Sequence, residues 1–173
     1  MMTTVDTATL ETPCGPFTIL VAGDTVLASG WTAEAAELAA LVAPPLRPDT
    51  WRSRSDLGPA TAAVRAYFAG DPNAATSVPV RQQGGPFVEK AWQKLRQVRP
   101  GTPVTYTELA ALAGRPSAVR AAASACARNP AALFVPCHRV IRRGGELGGF
   151  RWGMATKRWL LDHEATAAAR LVG

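Results

Sequence analysis

The segment Phe134-Val135-Pro136-Cys137-His138-Arg139-Val140-Ile141 is the part of this sequence best equipped for chemistry. A cysteine attacks as its thiolate, and a neighbouring base with nearby cations lowers its pKa, often to roughly 3.5–7.5. His138 can supply the base directly or through a water, and Arg139 is a candidate contributor to the positive field. The third member of such a relay is a carboxylate that orients the imidazole. Glu164 fits, because it lies in the last helical segment, which can fold back over the site. Cys14 and Cys126 lack such surroundings and read as buried, inert thiols. Three scattered cysteines and two histidines, His138 and His163, with no Cys-x-x-Cys pair, speak against both a disulfide framework and a metal site.

The elements that must position these groups follow from periodicity and punctuation. Phe17–Val21 and Thr25–Ser29 flank Gly23-Asp24, a hairpin signal. A helix is predicted over 33–42, ending at Pro44-Pro45, then a loop over 44–58, then a helix from Pro59 to Phe68 closed by Gly70. This half shows no catalytic constellation, and its expected job is structural. Beyond Gly84-Gly85, Phe87, Val88, Ala91, Trp92, Leu95 and Val98 recur at helical spacing behind Pro86, a favoured first helical position. Thr105-x-x-Glu108 is a capping box opening a short helix through Leu112, with Gly114 as its stop. Ser117 is expected to cap a third helix from Ala118 to about Arg128, halted by Asn129-Pro130. Two short helices joined by a tight turn outline a helix-turn-helix. The second is unusually small-sided through Ala121, Ala122, Ala123, Ser124 and Ala125, which suits close packing against another helix or the floor of a DNA groove. Arg120 stands near its start, where a recognition helix meets bases.

Charge is distributed unevenly. The chain of 173 residues carries +6 overall. Residues 1–80 hold four Lys/Arg against eight Asp/Glu, and residues 81–173 hold fifteen against five. A basic second half beside an acidic first half suggests that only the second meets a polyanion, although a solvated basic face has the same composition. No apolar run is long enough to span a membrane, and Met1–Asp6 lacks the basic start of a secretory signal, so a cytoplasmic protein is expected.

The motif Pro136-Cys137-His138-Arg139-Val140 resembles the acceptor motif of the O6-alkylguanine-DNA alkyltransferases, and the resemblance runs over residues 85–168. It implies a small mixed N-terminal domain (α/β, with a short sheet) over 1–82. Over 83–173 it implies a winged helix-turn-helix domain carrying the acceptor cysteine. It also implies roles. Cys137 is the acceptor, His138 and Glu164 complete its relay, and Asn129 braces the turn before it. Tyr106 assists flipping and hydrogen-bonds the flipped base, and Arg120 enters the base stack in its place. Val140 and Arg151 contribute backbone groups to base recognition, and Phe150, Arg151 and Trp152 belong to the loop lining the alkyl-base pocket. The loop Gly149-Phe150-Arg151-Trp152-Gly153 is most similar to that of the bacterial adaptive-response methyltransferase. Pro13-Cys14-Gly15-Pro16-Phe17 resembles a turn near the family's start.

The implied activity is direct reversal of DNA damage, one irreversible transfer per molecule, without a cofactor. The implied partner is double-stranded DNA carrying O6-alkylguanine, met by a monomer needing neither a membrane nor an obligate protein partner. Preference between O6-methylguanine and O4-methylthymine stays open. Three departures stand out. Alanine replaces a glycine at Ala123, Phe150 stands where tyrosine is common, and Trp152 is bulky where some members have glycine. The last predicts a narrow pocket favouring methyl over benzyl adducts. The adaptive-response protein's zinc-binding cysteine cluster is absent from this sequence. A non-enzymatic helix-turn-helix regulator is one alternative, but it leaves the Cys137–His138–Glu164 set idle. A cysteine hydrolase is another, but its histidine normally lies far from the cysteine in sequence.

Overall fold

The computed structural model describes residues 2–172. Two compact units divide the chain: Met1–Gln83 with Pro130–Phe134, and Gly84–Asn129 with Val135–Gly173. The first is built on a four-stranded sheet of β1 (Thr4–Thr12), β2 (Gly15–Ala22), β3 (Thr25–Gly30) and β4 (Thr50–Ser53), in the order β3-β2-β1-β4. The β1–β2 and β2–β3 pairs are antiparallel, and β4 runs parallel to β1. The β2–β3 turn at Gly23-Asp24 is the hairpin expected from sequence, with Gly23 at φ +63°. β2 is buried from Phe17 to Val21, apolar but for Thr18, as befits an interior strand. Helices α1 (Ala35–Ala39) and α2 (Pro59–Phe68) complete the unit.

Three sequence expectations need correction here. β1 has no counterpart among the strands read from sequence, and β4 lies inside the segment expected to be loop. β4 is short and largely exposed, and it pairs with residues 46 positions earlier, Thr4 with Thr50 through Thr7 with Ser53. No local pattern announces such a strand. The helix expected over 33–42 is only Ala35–Ala39, because Leu41 and Val42 bond back three residues, to Leu38 and Ala39, and tighten the last turn.

Residues 130–134 depart from a simple two-part division, since they extend the β3 edge. Ser29 N–H donates to the Pro130 carbonyl (2.9 Å), Ala132 N–H to the Ser29 carbonyl (3.2 Å), and the Ser29 hydroxyl to the Ala132 carbonyl (2.6 Å). Leu133 follows at φ +76°, the one non-glycine residue with positive φ among those described. Such a conformation costs roughly 1–3 kcal/mol and persists where the surroundings over-determine it. Here the hydrogen bonds just before it and the complete burial of Phe134 just after it hold it in place.

The second unit contains α3 (Pro86–Leu95), β5 (Val104–Thr105), α4 (Tyr106–Leu112), α5 (Val119–Ala127), β6 (Val140–Ile141) and α6 (Met154–Val172), with β5 and β6 paired in parallel. α3 buries Ala91, Trp92 and Leu95, three of the residues its periodicity marks, and Trp92 donates its indole N–H to the Ala125 carbonyl (2.9 Å). The Thr105–Glu108 capping box is formed in both directions, at 3.1 and 3.0 Å. α5 begins differently from expectation: Ala118 is the N-cap, no side chain caps it, and Ser117 lies outside. Ala122 and Ala125 of α5 are fully buried, while Arg120, Ala123, Ser124 and Ala127 are not. The small side chains therefore serve close packing on one face and leave a shallow surface on the other. α4 and α5 form the helix-turn-helix, turning at Gly114 with φ +93°.

Candidate active site

The chemistry-bearing residues converge in the second unit. Cys137 opens a single 3-10 turn, Cys137–Arg139, between the Pro130–Pro136 segment and β6. Asn129, at the end of α5, donates its side-chain N–H to the Val135 carbonyl (2.7 Å) and so fixes the turn on which Cys137 sits. His138 and Glu164 are both fully buried, with Nε2 of the imidazole 2.6 Å from the carboxylate. Glu164 is delivered by α6, whose buried stripe runs Lys157, Leu160, Glu164, Ala167 at helical spacing.

Arg139, a candidate contributor to the positive field at the thiol, is engaged instead with Glu164. It is buried, with Nε donating to Glu164 Oε1 (2.8 Å), Nη2 to Oε2 (3.2 Å) and Nη1 to the Val98 carbonyl (2.9 Å). The guanidinium grips both carboxylate oxygens in a fork, and Oε2 also meets the imidazole. Burial alone would raise the Glu164 carboxyl, but His138 and Arg139 hold it down at about 2, so it is a carboxylate. It therefore fixes the imidazole with Nε2–H directed at it and Nδ1 bare. Nδ1 is buried and has no hydrogen-bond partner among the described residues.

The resting state of the thiol differs from the sequence expectation. Burial pushes the Cys137 thiol up, and this outweighs the Asn129 hydrogen bond and the positive charges of Lys157 and Arg151. Burial likewise pushes the His138 imidazole down, against the pull of Glu164. The pair therefore rests as neutral thiol and neutral imidazole. Proton movement between them creates two charges that Glu164 and the surrounding cations are already placed to meet.

In front of Cys137 lies a cavity of about 580 Å³, lined by Tyr106, Arg120, Cys126, Asn129, Arg142 and the loop Gly149–Trp152, among others. That volume falls within the roughly 300–1,000 Å³ of ordinary ligand pockets. Trp152 lines it as expected. Burial raises the Tyr106 hydroxyl to about 12, with the two cysteines adding to the rise, so it remains a proton donor at neutral pH. Its position is set by the loop: a Cβ at Gly148, where φ is +73°, would stand 2.8 Å from the Tyr106 hydroxyl. Arg120 is exposed on the second residue of α5, and Arg151 ties the loop to α5 by donating to the Ala127 carbonyl (2.8 Å). Val140 is fully buried.

Two cysteines depart from the sequence reading. Cys126 is half-buried and lines the cavity rather than the core, because it shares the face of α5 that presents Ala123 and Ala127. Cys14 is also only half-buried. Lys157 is a site residue that the sequence reading misses. Its signal is a basic residue falling on the buried stripe of α6, two turns before Glu164.

A family model described as 6-O-methylguanine DNA methyltransferase, DNA binding domain, matches residues 86–166. The probable methylated-DNA--protein-cysteine methyltransferase of Acanthamoeba polyphaga mimivirus is 40% identical over 101 residues, covering 58% of this chain and 67% of that protein. The chain belongs to the 6-O-methylguanine DNA methyltransferase family. The fold extends the agreement beyond the matched residues. The O6-methylguanine methyltransferase of Mycobacterium tuberculosis superposes with a TM-score of 0.77 at 29% identity, covering 98% of this chain and 99% of that chain. The OGT of Mycobacterium tuberculosis in complex with DNA gives 0.77 at 29% identity, covering 94% of both chains. The regulatory protein ada of Salmonella typhimurium is 49% identical over 89 residues, which are 51% of this chain and 25% of that protein. This member of the family thus spans about a quarter of the Ada proteins it matches.

Proposed function

We propose that this methyltransferase-family chain repairs alkylated DNA directly, taking the alkyl group of a flipped-out O6-alkylguanine onto Cys137 in a single, irreversible turnover. The observation that carries the reading is a nucleophile at the cavity, backed by a buried imidazole whose bare Nδ1 awaits a proton and whose Nε2 is fixed by an ionised Glu164.

The target atom is out of reach while the base is stacked, so the nucleotide must leave the helix, at a cost of a few kcal/mol. Arg120, exposed at the start of α5, is suited to fill the vacancy. The basic residues of the second half would hold phosphates without reading sequence, as lesion scanning requires. The complex of OGT with DNA in Mycobacterium tuberculosis supports this partner.

In the cavity, the Cys137 proton passes to His138 Nδ1, directly or through one water. Sulfur attacks the alkyl carbon, the carbon–O6 bond breaks, and guanine leaves with the electron pair and takes up a proton. Tyr106, a phenol at neutral pH, donates to the base and stabilises the charge that develops on it. A thioether remains on Cys137. The reaction needs no cofactor, O4-alkylthymine is a second substrate by the same chemistry, and one monomer acts alone. The protein is cytoplasmic and joins the nucleoid when bound to DNA. Among the described residues, no helix is long and apolar enough to cross a membrane.

The test is restoration of guanine in a duplex carrying one O6-methylguanine, by the native chain and by Cys137→Ser. The proposal expects stoichiometric repair by the first and none by the second. Repair that survives loss of Cys137, or that exceeds one lesion per protein, contradicts it.

A further inference from the structure

The buried stripe of α6 carries a second charge besides Glu164. Lys157 is fully buried, and its Nζ donates to the carbonyls of Val140 (2.7 Å) and Gly149 (3.2 Å). The ammonium stands 5.9 Å from the centre of the Tyr106 ring. Among the described residues no carboxylate lies within ion-pair distance of it. Glu164, two turns further along α6, is already engaged by His138 and Arg139. A buried ammonium satisfied only by carbonyl dipoles is expensive to hold, and such charges are normally paired.

The groups facing it explain why it is retained. Cys137 and Cys126 favour its charge, whereas burial and Arg142 oppose it. Cys137 for its part shares the cavity with Tyr106 from α4, Cys126 from α5, Asn129 just beyond α5, and Arg142 and Arg151, and the positive charges of Lys157 and Arg151 act on it. Of the two thiols facing the ammonium, Cys137 is the one that must become an anion during transfer. The Lys157 contacts also fall at functional places. Val140 lies three residues past the nucleophile, and Gly149 belongs to the loop that lines the cavity and follows the Gly148 that abuts the Tyr106 hydroxyl.

We infer that Lys157 is a positioning residue for alkyl transfer, a standing buried counter-charge for the Cys137 thiolate that also pins the cavity loop to β6 through two carbonyls. The inference rests on the reading of Cys137 as acceptor. It divides the ionic work of the site: the imidazolium formed at His138 is met by Glu164, and the thiolate formed at Cys137 is met by Lys157. It also implies a change after transfer. The thioether cannot ionise, so after transfer no thiolate can form for the Lys157 ammonium to meet.

The test needs no DNA, so its failure is separable from failure of the repair reading. Iodoacetamide labelling of Cys137, resolved by peptide mass, is followed against pH in the native chain, Lys157→Met and Lys157→Arg. The Met variant is expected to move the labelling midpoint up by at least about one pH unit, a loss of about tenfold in thiolate at neutral pH. The Arg variant, which keeps the charge, is expected to stay near the native midpoint. An unmoved midpoint in folded Lys157→Met overturns the inference, because a merely structural clamp would leave it there. Should that variant not fold, Lys157→Gln, which keeps a donor for the two carbonyls without the charge, is labelled in its place. A rise in its midpoint supports the pairing, and an unchanged midpoint overturns it.

Discussion

Replacing Glu164 by Gln tests how the relay is held together and can be worked from the structure. The carboxylate is fully buried and meets His138 at 2.6 Å and Arg139 at 2.8 Å. Its pKa is held at about 2, against an ordinary value of 4.5. The folded value is the lower one, so the stabilisation is complete above the unfolded pKa and disappears as pH falls from about 4.5 toward about 2. At about 1.4 kcal/mol per unit, the depression is worth roughly 3 kcal/mol of pH-dependent stability. At pH 7 the substitution also leaves the Arg139 guanidinium buried without its anion, a loss of roughly 3–5 kcal/mol. The assay is urea unfolding of both proteins at pH 7, 5, 4 and 3. The native chain should lose stability steeply below pH 5, whereas Glu164→Gln should start lower and fall less. Asp56, whose carboxyl is lowered chiefly by the Thr61 hydroxyl, contributes equally to both and cancels. Parallel curves for the two proteins would refute the reasoning.

Other substitutions reach different parts of the account. Gly148→Ala places a Cβ 2.8 Å from the Tyr106 hydroxyl at a left-handed φ. It should slow alkyl transfer while DNA binding holds, and unchanged single-turnover rates would argue that Tyr106 needs no fixed seat. Tyr106→Phe removes a donor aimed at the leaving base and should cost on the order of 10²–10³ in transfer rate. A loss below about tenfold in the same assay would assign that stabilisation elsewhere. Thr105→Ala removes half of the capping box of α4 and should destabilise the chain by about 1 kcal/mol in urea unfolding, leaving the transfer chemistry intact.

What can be read from the sequence divides along physical lines. Cys137, His138 and Glu164 are legible because two are adjacent in an unusual setting and the third lies on a recognisable helix. The α3 core face and the α4 capping box are legible because each depends on spacings of three or four residues. β4 is not, since its partner is β1 and only folding brings residues 4 and 50 together. Arg139 reads as a neighbour of the thiol because it follows the histidine. The 3-10 turn instead carries its side chain behind the site to Glu164 and Val98. The resting charge of Cys137 is also out of reach, because burial, which decides it, is a property of the folded chain. Lys157 lies on a stripe that periodicity can expose, but a lysine on an amphipathic helix ordinarily marks the wet side. Here it marks the inside.

The most direct test of the central claim is the mass of the protein and of its peptides after incubation with excess duplex DNA containing O6-methylguanine. The account predicts a gain of one methylene, confined to the Cys137 peptide and stopping at one per chain. A protein that binds the duplex yet gains no mass, or that carries the added group on Cys126, would contradict it.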